Sequence, residues 1–156
     1  MTKKEDKKTS QFDDALSKLL QDTEKRFGKG AIMNLEEGVK GVEFIPSGSI
    51  GLDIALGGGY AKGRVTEIYG ENSTGKTTLT IHAMVEAQKQ GGLVGFVDAE
   101  HAFDLHYAKN LGLDTSKNKF QFSQPSSGEE SLEIVDAMVK SGIFAMVVID
   151  SVAALT

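Results

Sequence analysis

Apolar and polar positions change period along the chain, and the changes mark its elements. Phe12, Ala15, Leu16, Leu19, Leu20 and Phe27 recur at helical spacing on one face, which predicts an amphipathic helix beginning near Ser10. Ser10 with Asp13 three residues later has the form of a capping box, and Gly28 stands where a helix stop is expected. Asp13 and Asp14 at the start, with Lys25 and Arg26 at the end, suit the helix dipole. Residues 1–9 are mostly lysine, acid and hydroxyl side chains and read as a disordered tail.

From Lys29 to Gly63 the pattern is glycine-rich and short-ranged, with strand pieces expected at Ala31–Leu35 and Val42–Ile45. A short helix is expected over Gly48–Leu56, stopped by Gly57, Gly58 and Gly59. Beyond it two periods alternate. Strands are predicted at Arg64–Tyr69, Gly92–Asp98, Phe120–Ser123 and Phe144–Asp150, and helices at Lys76–Gln90, Ala102–Leu111 and Ser127–Ser141. Strand and helix in turn, with a last strand apolar throughout, imply an α/β fold: a parallel sheet with helices on both faces. Chemistry in such a fold gathers at the carboxyl ends of the strands.

Composition narrows the class. The chain has 156 residues, 40% of them hydrophobic and 25% charged, ordinary values for one soluble domain. It has no cysteine, which excludes disulfides, thiolate nucleophiles and cysteine-held zinc. The charged N-terminus lacks a secretory apolar stretch, and no apolar run is long enough to span a bilayer, so a cytoplasmic protein without a membrane partner is expected. A formal charge of -5 gives no general attraction to nucleic acid. Any DNA contact is therefore expected to be local or to lie outside this chain.

The strongest motif is Gly70-Glu71-Asn72-Ser73-Thr74-Gly75-Lys76-Thr77, which fits G-x-x-x-x-G-K-S/T between an expected strand and an expected helix. Such a loop wraps phosphates with backbone N–H groups, brings its lysine to the β and γ phosphates and offers the hydroxyl after it to Mg²⁺. ATP and Mg²⁺ are the expected ligands, with Thr78 also in the nucleotide-binding segment. Asp150, closing the run Met146-Val147-Val148-Ile149, is the candidate for the magnesium side, directly or through water. Glu100, just past the strand that ends at Asp98, is the candidate base for an attacking water. Asp98 reads instead as a cap for the following turn. His82, His101 and His106 match no zinc spacing, and Met33, Met84, Met138 and Met146 read as core filler. Arginine occurs only at positions 26 and 64, so the positive charge that completes a phosphoryl-transfer site is expected from later sequence or a neighbouring subunit.

Together these strings resemble the N-terminal part of the bacterial RecA recombinase family. The matching stretches are Gly28–Met33, Ser47–Gly59, the phosphate loop, Phe96–Ala102, Ser123–Pro125 and Val148–Thr156. The resemblance implies a P-loop NTPase core of RecA type over residues 41–156, preceded at 10–40 by a helix and strand for subunit contact. It implies roles for Glu100 in catalysis, Lys76 at the phosphates, Thr77 and Asp150 at magnesium, and Asp104 and Tyr107 at the adenine. It further implies a helical filament of the chain with itself, single- and double-stranded DNA bound through segments outside this sequence, and promoted self-cleavage of a LexA-type repressor in the SOS response. Glu71, Asn72 and Thr74 depart from the family's usual proline, glutamate and serine, Leu105 and Ala61 from its prolines. The family's sheet takes a later strand between the phosphate-loop strand and the Asp150 strand, so an incomplete sheet and a partial sequence are expected here. Taken literally, the chain also fits a module that binds ATP and self-associates without turnover or DNA binding.

Overall fold

The computed structural model describes residues 3–28, 32 and 41–151. They divide between a unit within residues 1–42 and a unit within residues 43–156. The first holds helix α1, Lys3–Phe27, with Phe12, Leu16, Leu19 and Phe27 exposed along it. The helix starts well before Ser10, which corrects the expected tail over residues 3–9. No glycine or proline interrupts that stretch, and lysine and glutamate are good helix formers, so the helix extends through the supposed cap. Apart from Ile32, the strand expected at Ala31–Leu35, with the side chain of Met33, lies outside the described residues.

In the second unit, β1 (Phe44–Ile45) and β2 (Tyr60–Ala61) pair antiparallel around α2 (Ile50–Leu56). Gly57 caps α2 at φ 77°, and the Gly58 N–H reaches the Asp53 carbonyl at 2.8 Å. A side chain at Gly59 would run into the Ile45 carbonyl, so the glycine run serves the turn and the close pairing behind it.

The main sheet is built from β3 (Leu93–Asp98), β4 (Phe120–Ser123) and β5 (Phe144–Asp150), all parallel, in the order β4-β3-β5. Helices α3 (Lys76–Lys89), α4 (Leu105–Asn110) and α5 (Gly128–Ser141) alternate with them. Val94 and Phe96 join Ile81, Met84 and Ala87 of α3 in the core, and Met146 and Val148, their register partners on β5, pack against the same cluster. On the opposite face, Gly95 lies under Met138 of α5 and the Phe144 ring. Strand alternation thus sends even positions of β3 to α3 and odd positions to α5, covering both faces. One irregularity interrupts the pairing: Leu93 faces Phe144 but Val94 faces Met146, leaving Ala145 as an extra residue over Gly92.

Around β3 and β4 the core is aromatic, with the Phe96 and Phe103 ring centroids 4.4 Å apart and Phe120 and Phe122 beside them. Gln88, nearly buried on α3, holds the loop before β4 by donating to the carbonyls of Asp114 (2.8 Å) and Lys119 (3.0 Å) and accepting from the Asp114 N–H (2.9 Å). That satisfies an amide in a place where an unpaired one would be costly.

Two expectations are corrected. The Ala102–Leu111 helix is shorter, because Asp104 caps it and α4 begins at Leu105. The strand expected at Arg64–Tyr69 does not form: residues 65–70 have no ladder partner among the described residues, with Val65 fully exposed and Tyr69 87% exposed. Its β-branched and aromatic residues Val65, Thr66, Ile68 and Tyr69 suit a strand, but a strand needs a neighbour to take its N–H and C=O groups. The described sheet ends at β5.

Candidate functional site

At the carboxyl ends of β3 and β5 the chain brings together most of the residues singled out from sequence. The Gly70–Thr77 loop leads into α3, with Ser73 at φ 62° and Gly75 at φ 93° bending the backbone in the left-handed region. The Thr74 hydroxyl donates to the Glu71 carbonyl at 2.8 Å, tying the loop from inside. Lys76 curls back over it, its Nζ donating to the carbonyls of Gly70 (2.9 Å) and Glu71 (2.8 Å). Asn72 lies exposed at the loop's crest. The amides at the start of the 14-residue α3 have no intrahelical acceptor and form, with the lysine, a surface that favours anions.

Thr77, in the first turn of α3, donates its hydroxyl to Asp150 Oδ2 at 2.7 Å across a separation of 73 residues. β5 ends at Asp150, opposite Asp98 at the end of β3. A carboxylate and a hydroxyl at this distance are an all-oxygen pair, the donor type that hard divalent cations take. Among the described residues no group of three or more His, Cys, Asp or Glu side chains is placed to hold a metal ion.

Glu100 follows β3 directly. Its N–H and that of Ala99 both donate to the Asp150 carbonyl, at 3.2 and 2.8 Å, so the backbone beyond β3 is fastened to the end of β5. The Glu100 carboxylate accepts the hydroxyl of Ser151. Asp98 is 1% exposed and accepts from the N–H groups of Ala102 (3.2 Å) and Phe103 (3.0 Å) and from Gln124 Nε2 (3.0 Å). It caps the turn after β3, as its position in the sequence suggests. Burial pushes its carboxyl upward, but the hydrogen bonds from Gln124, Phe103, Ala102 and His101 outweigh this and hold its pKa below the usual carboxylate value.

Asp104 Oδ1 accepts the Tyr107 N–H at 2.9 Å, and the Tyr107 hydroxyl lies 3.3 Å from Thr78 Oγ1 on α3. Asp104, Tyr107 and Thr78 therefore share one corner of the loop's helix. Two of the histidines have partners elsewhere: His82 packs under Gly48, and His101 meets the Pro125 carbonyl at 3.1 Å. Sequence reasoning passed over Ser151 and Gln124. Neither belongs to a local pattern, since their partners lie 51 and 26 residues away.

Residues 14–156 match the family described as the RecA N-terminal domain. The chain belongs to the RecA family. The RecA protein of Acholeplasma laidlawii is 59% identical over 143 residues, which cover 90% of this chain and 43% of its own length. That of a Nocardioides species is 56% identical over 90% of this chain and 40% of its own. Among solved structures, the crystal structure of the RadB recombinase superposes with a TM-score of 0.58 at 31% identity, covering 70% of this chain and 52% of that one. The chain thus spans about two fifths of the RecA proteins it matches. The superposition on RadB agrees with the parallel α/β architecture. Among the described residues, no helix is long and apolar enough to cross a membrane.

Proposed function

We propose that this chain forms the nucleotide-binding half of a DNA-stimulated ATPase that assembles as a helical filament on single-stranded DNA and drives homologous pairing in the cytoplasm. The observation that carries the reading is the Thr77–Asp150 hydrogen bond of 2.7 Å, which joins the phosphate loop's helix to the end of β5. In this reading Gly70–Thr78 cradle the phosphates of ATP, and Lys76 exchanges its two loop carbonyls for the β and γ phosphates. Thr77 and Asp150 hold Mg²⁺, Asp150 directly or through water, and the ion when bound supplies positive charge to the phosphate oxygens. Asp104 and Tyr107 meet the adenine beside Thr78. Glu100 orients the attacking water and receives its proton, the assignment its position just past β3 supports.

The loop's departures at Glu71, Asn72 and Thr74 leave its backbone function available, because Thr74 closes the turn through its hydroxyl. DNA contacts, single- and double-stranded, and the promotion of LexA-type repressor cleavage belong to the assembled protein. The cation that completes the site comes from a neighbouring subunit, and α1 with its exposed apolar residues serves contact between subunits.

Steady-state ATP hydrolysis with and without single-stranded DNA tests the reading on the protein at its full natural length. DNA should stimulate turnover, and Glu100→Gln should reduce it at least about a hundredfold while leaving ATP binding in place. Unchanged turnover in Glu100→Gln would overturn the assignment of the base. ATP binding with no turnover under any condition would select a nucleotide-holding assembly module instead.

A further inference from the structure

The bond between Ser151 and Glu100 is not used by the mechanism above, and it sits where the mechanism is most sensitive. We infer that Ser151 is a positioning residue for Glu100, resting on the proposed role of Glu100 as the base. Three observations carry this. The Ser151 hydroxyl donates to Glu100 Oε1, leaving Oε2 without a partner among the described residues. The backbone under both groups is shared, because the N–H groups of Ala99 and Glu100 close on the carbonyl of Asp150, the residue before Ser151. Asp150 in turn receives the Thr77 hydroxyl at 2.7 Å. Thr77, Asp150, Ser151 and Glu100 thus form one run from the phosphate loop's helix to the base, with the peptide between residues 150 and 151 as its central link.

Glu100 is exposed, so no packing selects a rotamer for it. An exposed glutamate samples several rotamers, and holding one of them is what a single well-placed donor contributes. With Oε1 occupied by Ser151, the other oxygen is left to accept a proton. The arrangement gives the carboxylate a defined orientation, and it couples that orientation to the residue that closes on Thr77. Any displacement of Thr77 relative to Asp150 is transmitted to Glu100 through adjacent residues of one strand end.

The test has two readouts. In the protein at its full natural length, Ser151→Ala should lower kcat for ATP about tenfold with KM for ATP unchanged, and Ser151→Thr, which keeps the hydroxyl, should restore it. In a Glu100→Ala background Ser151→Ala should cost nothing further in single-turnover hydrolysis, because the group it positions is gone. Independently of activity, a crystal structure of Ser151→Ala with a non-hydrolysable ATP analogue should show the Glu100 carboxylate spread over more than one rotamer, where the parent shows one. A single unchanged Glu100 rotamer in Ser151→Ala, or a kcat unaffected by it while Glu100→Gln abolishes turnover, overturns the positioning role alone. Unaffected turnover in Glu100→Gln instead removes the reading on which it rests.

Discussion

β3 and the segment 65–70 both read as strands in the sequence and have opposite fates. β3 is flanked by β4 on one side and β5 on the other, and its Val94, Phe96 and Val97 are completely buried. Segment 65–70 has no ladder partner among the described residues, and Val65 is completely exposed. β5 stands between the two extremes. It has one neighbour, and although its sequence is as apolar as any in the chain, Met146, Val147, Val148 and Ile149 are only half-buried. Among the described residues burial thus falls with the number of neighbouring strands, two, one and none; β5 is as apolar as β3, whereas segment 65–70 also carries Thr66 and Glu67. A strand is a property of the sheet around it, because both its hydrogen bonds and its covered faces are supplied by other segments.

The ends of the same segments differ in the same way, and there the largest effect is expected. Asp98→Ala, at the end of β3, removes the acceptor for Ala102, Phe103 and Gln124 together and should cost about 3 kcal/mol of unfolding free energy in urea titrations. The contribution of the ionised carboxylate has a definite pH sense. Since the folded pKa of Asp98 lies below its unfolded value, its stabilisation is fully present above the ordinary carboxylate range and is lost as pH falls through the lower, folded value. The difference in stability between the parent and Asp98→Asn should therefore stay level near neutrality and shrink only in acid. A difference that grew on acidification would contradict the hydrogen-bonded carboxylate.

A matched valine series breaks or sharpens the comparison itself. Val94→Ala, between two strands, should cost roughly 2 to 3 kcal/mol, the transfer of two methyl groups plus the cavity left behind. Gly95→Val, which presses on Met138 and the Phe144 ring, should cost about 1 to 3 kcal/mol by overpacking. Val148→Ala on β5 should cost about 1 kcal/mol, and, in the 156-residue chain, Val65→Ala should fall within about 0.5 kcal/mol of the parent. Equal costs for Val94 and Val65 would mean that segment 65–70 is covered in solution and that the gradient is wrong.

Much of this was legible in the sequence, and the reasons differ by residue. Lys76 and Thr77 could be placed because glycines, lysine and hydroxyl occur at fixed local offsets, and the helix they open follows at once. β4 and β5 were bounded correctly at Phe120–Ser123 and Phe144–Asp150, since turn residues flank both runs. The strand expected at Arg64–Tyr69 is absent from the described sheet because β-branched and aromatic residues report a segment's fitness for a sheet and are silent on whether a partner is there. The start of α1 was misread at Ser10 because a capping pattern marks where a helix is able to begin, whereas charged helix formers upstream allow it to begin earlier. Ser151 was invisible for a third reason. Its link to Glu100 exists only after β3 and β5 have paired, and no local spacing encodes a contact between two strand ends.

The spare residue near the start of β5 sets where the strand is able to change length. Because Ala145 has no register partner, Phe144 turns to the α5 side while Met146 and Val148 turn to the α3 side, which an unbroken alternation would forbid. Removing Ala145 would leave Leu93 opposite Phe144 and Val94 opposite Met146, a regular ladder with every downstream partner kept. Removing a residue from 147 to 149 would instead invert the phase on one side of the gap, displacing either the Asp150 end from Thr77 and Glu100 or Met146 from the α3 face. The strand therefore holds its slack at one end and its precision at the other, and insertions or deletions in relatives should collect beside Gly92 and stay clear of the Asp150 end.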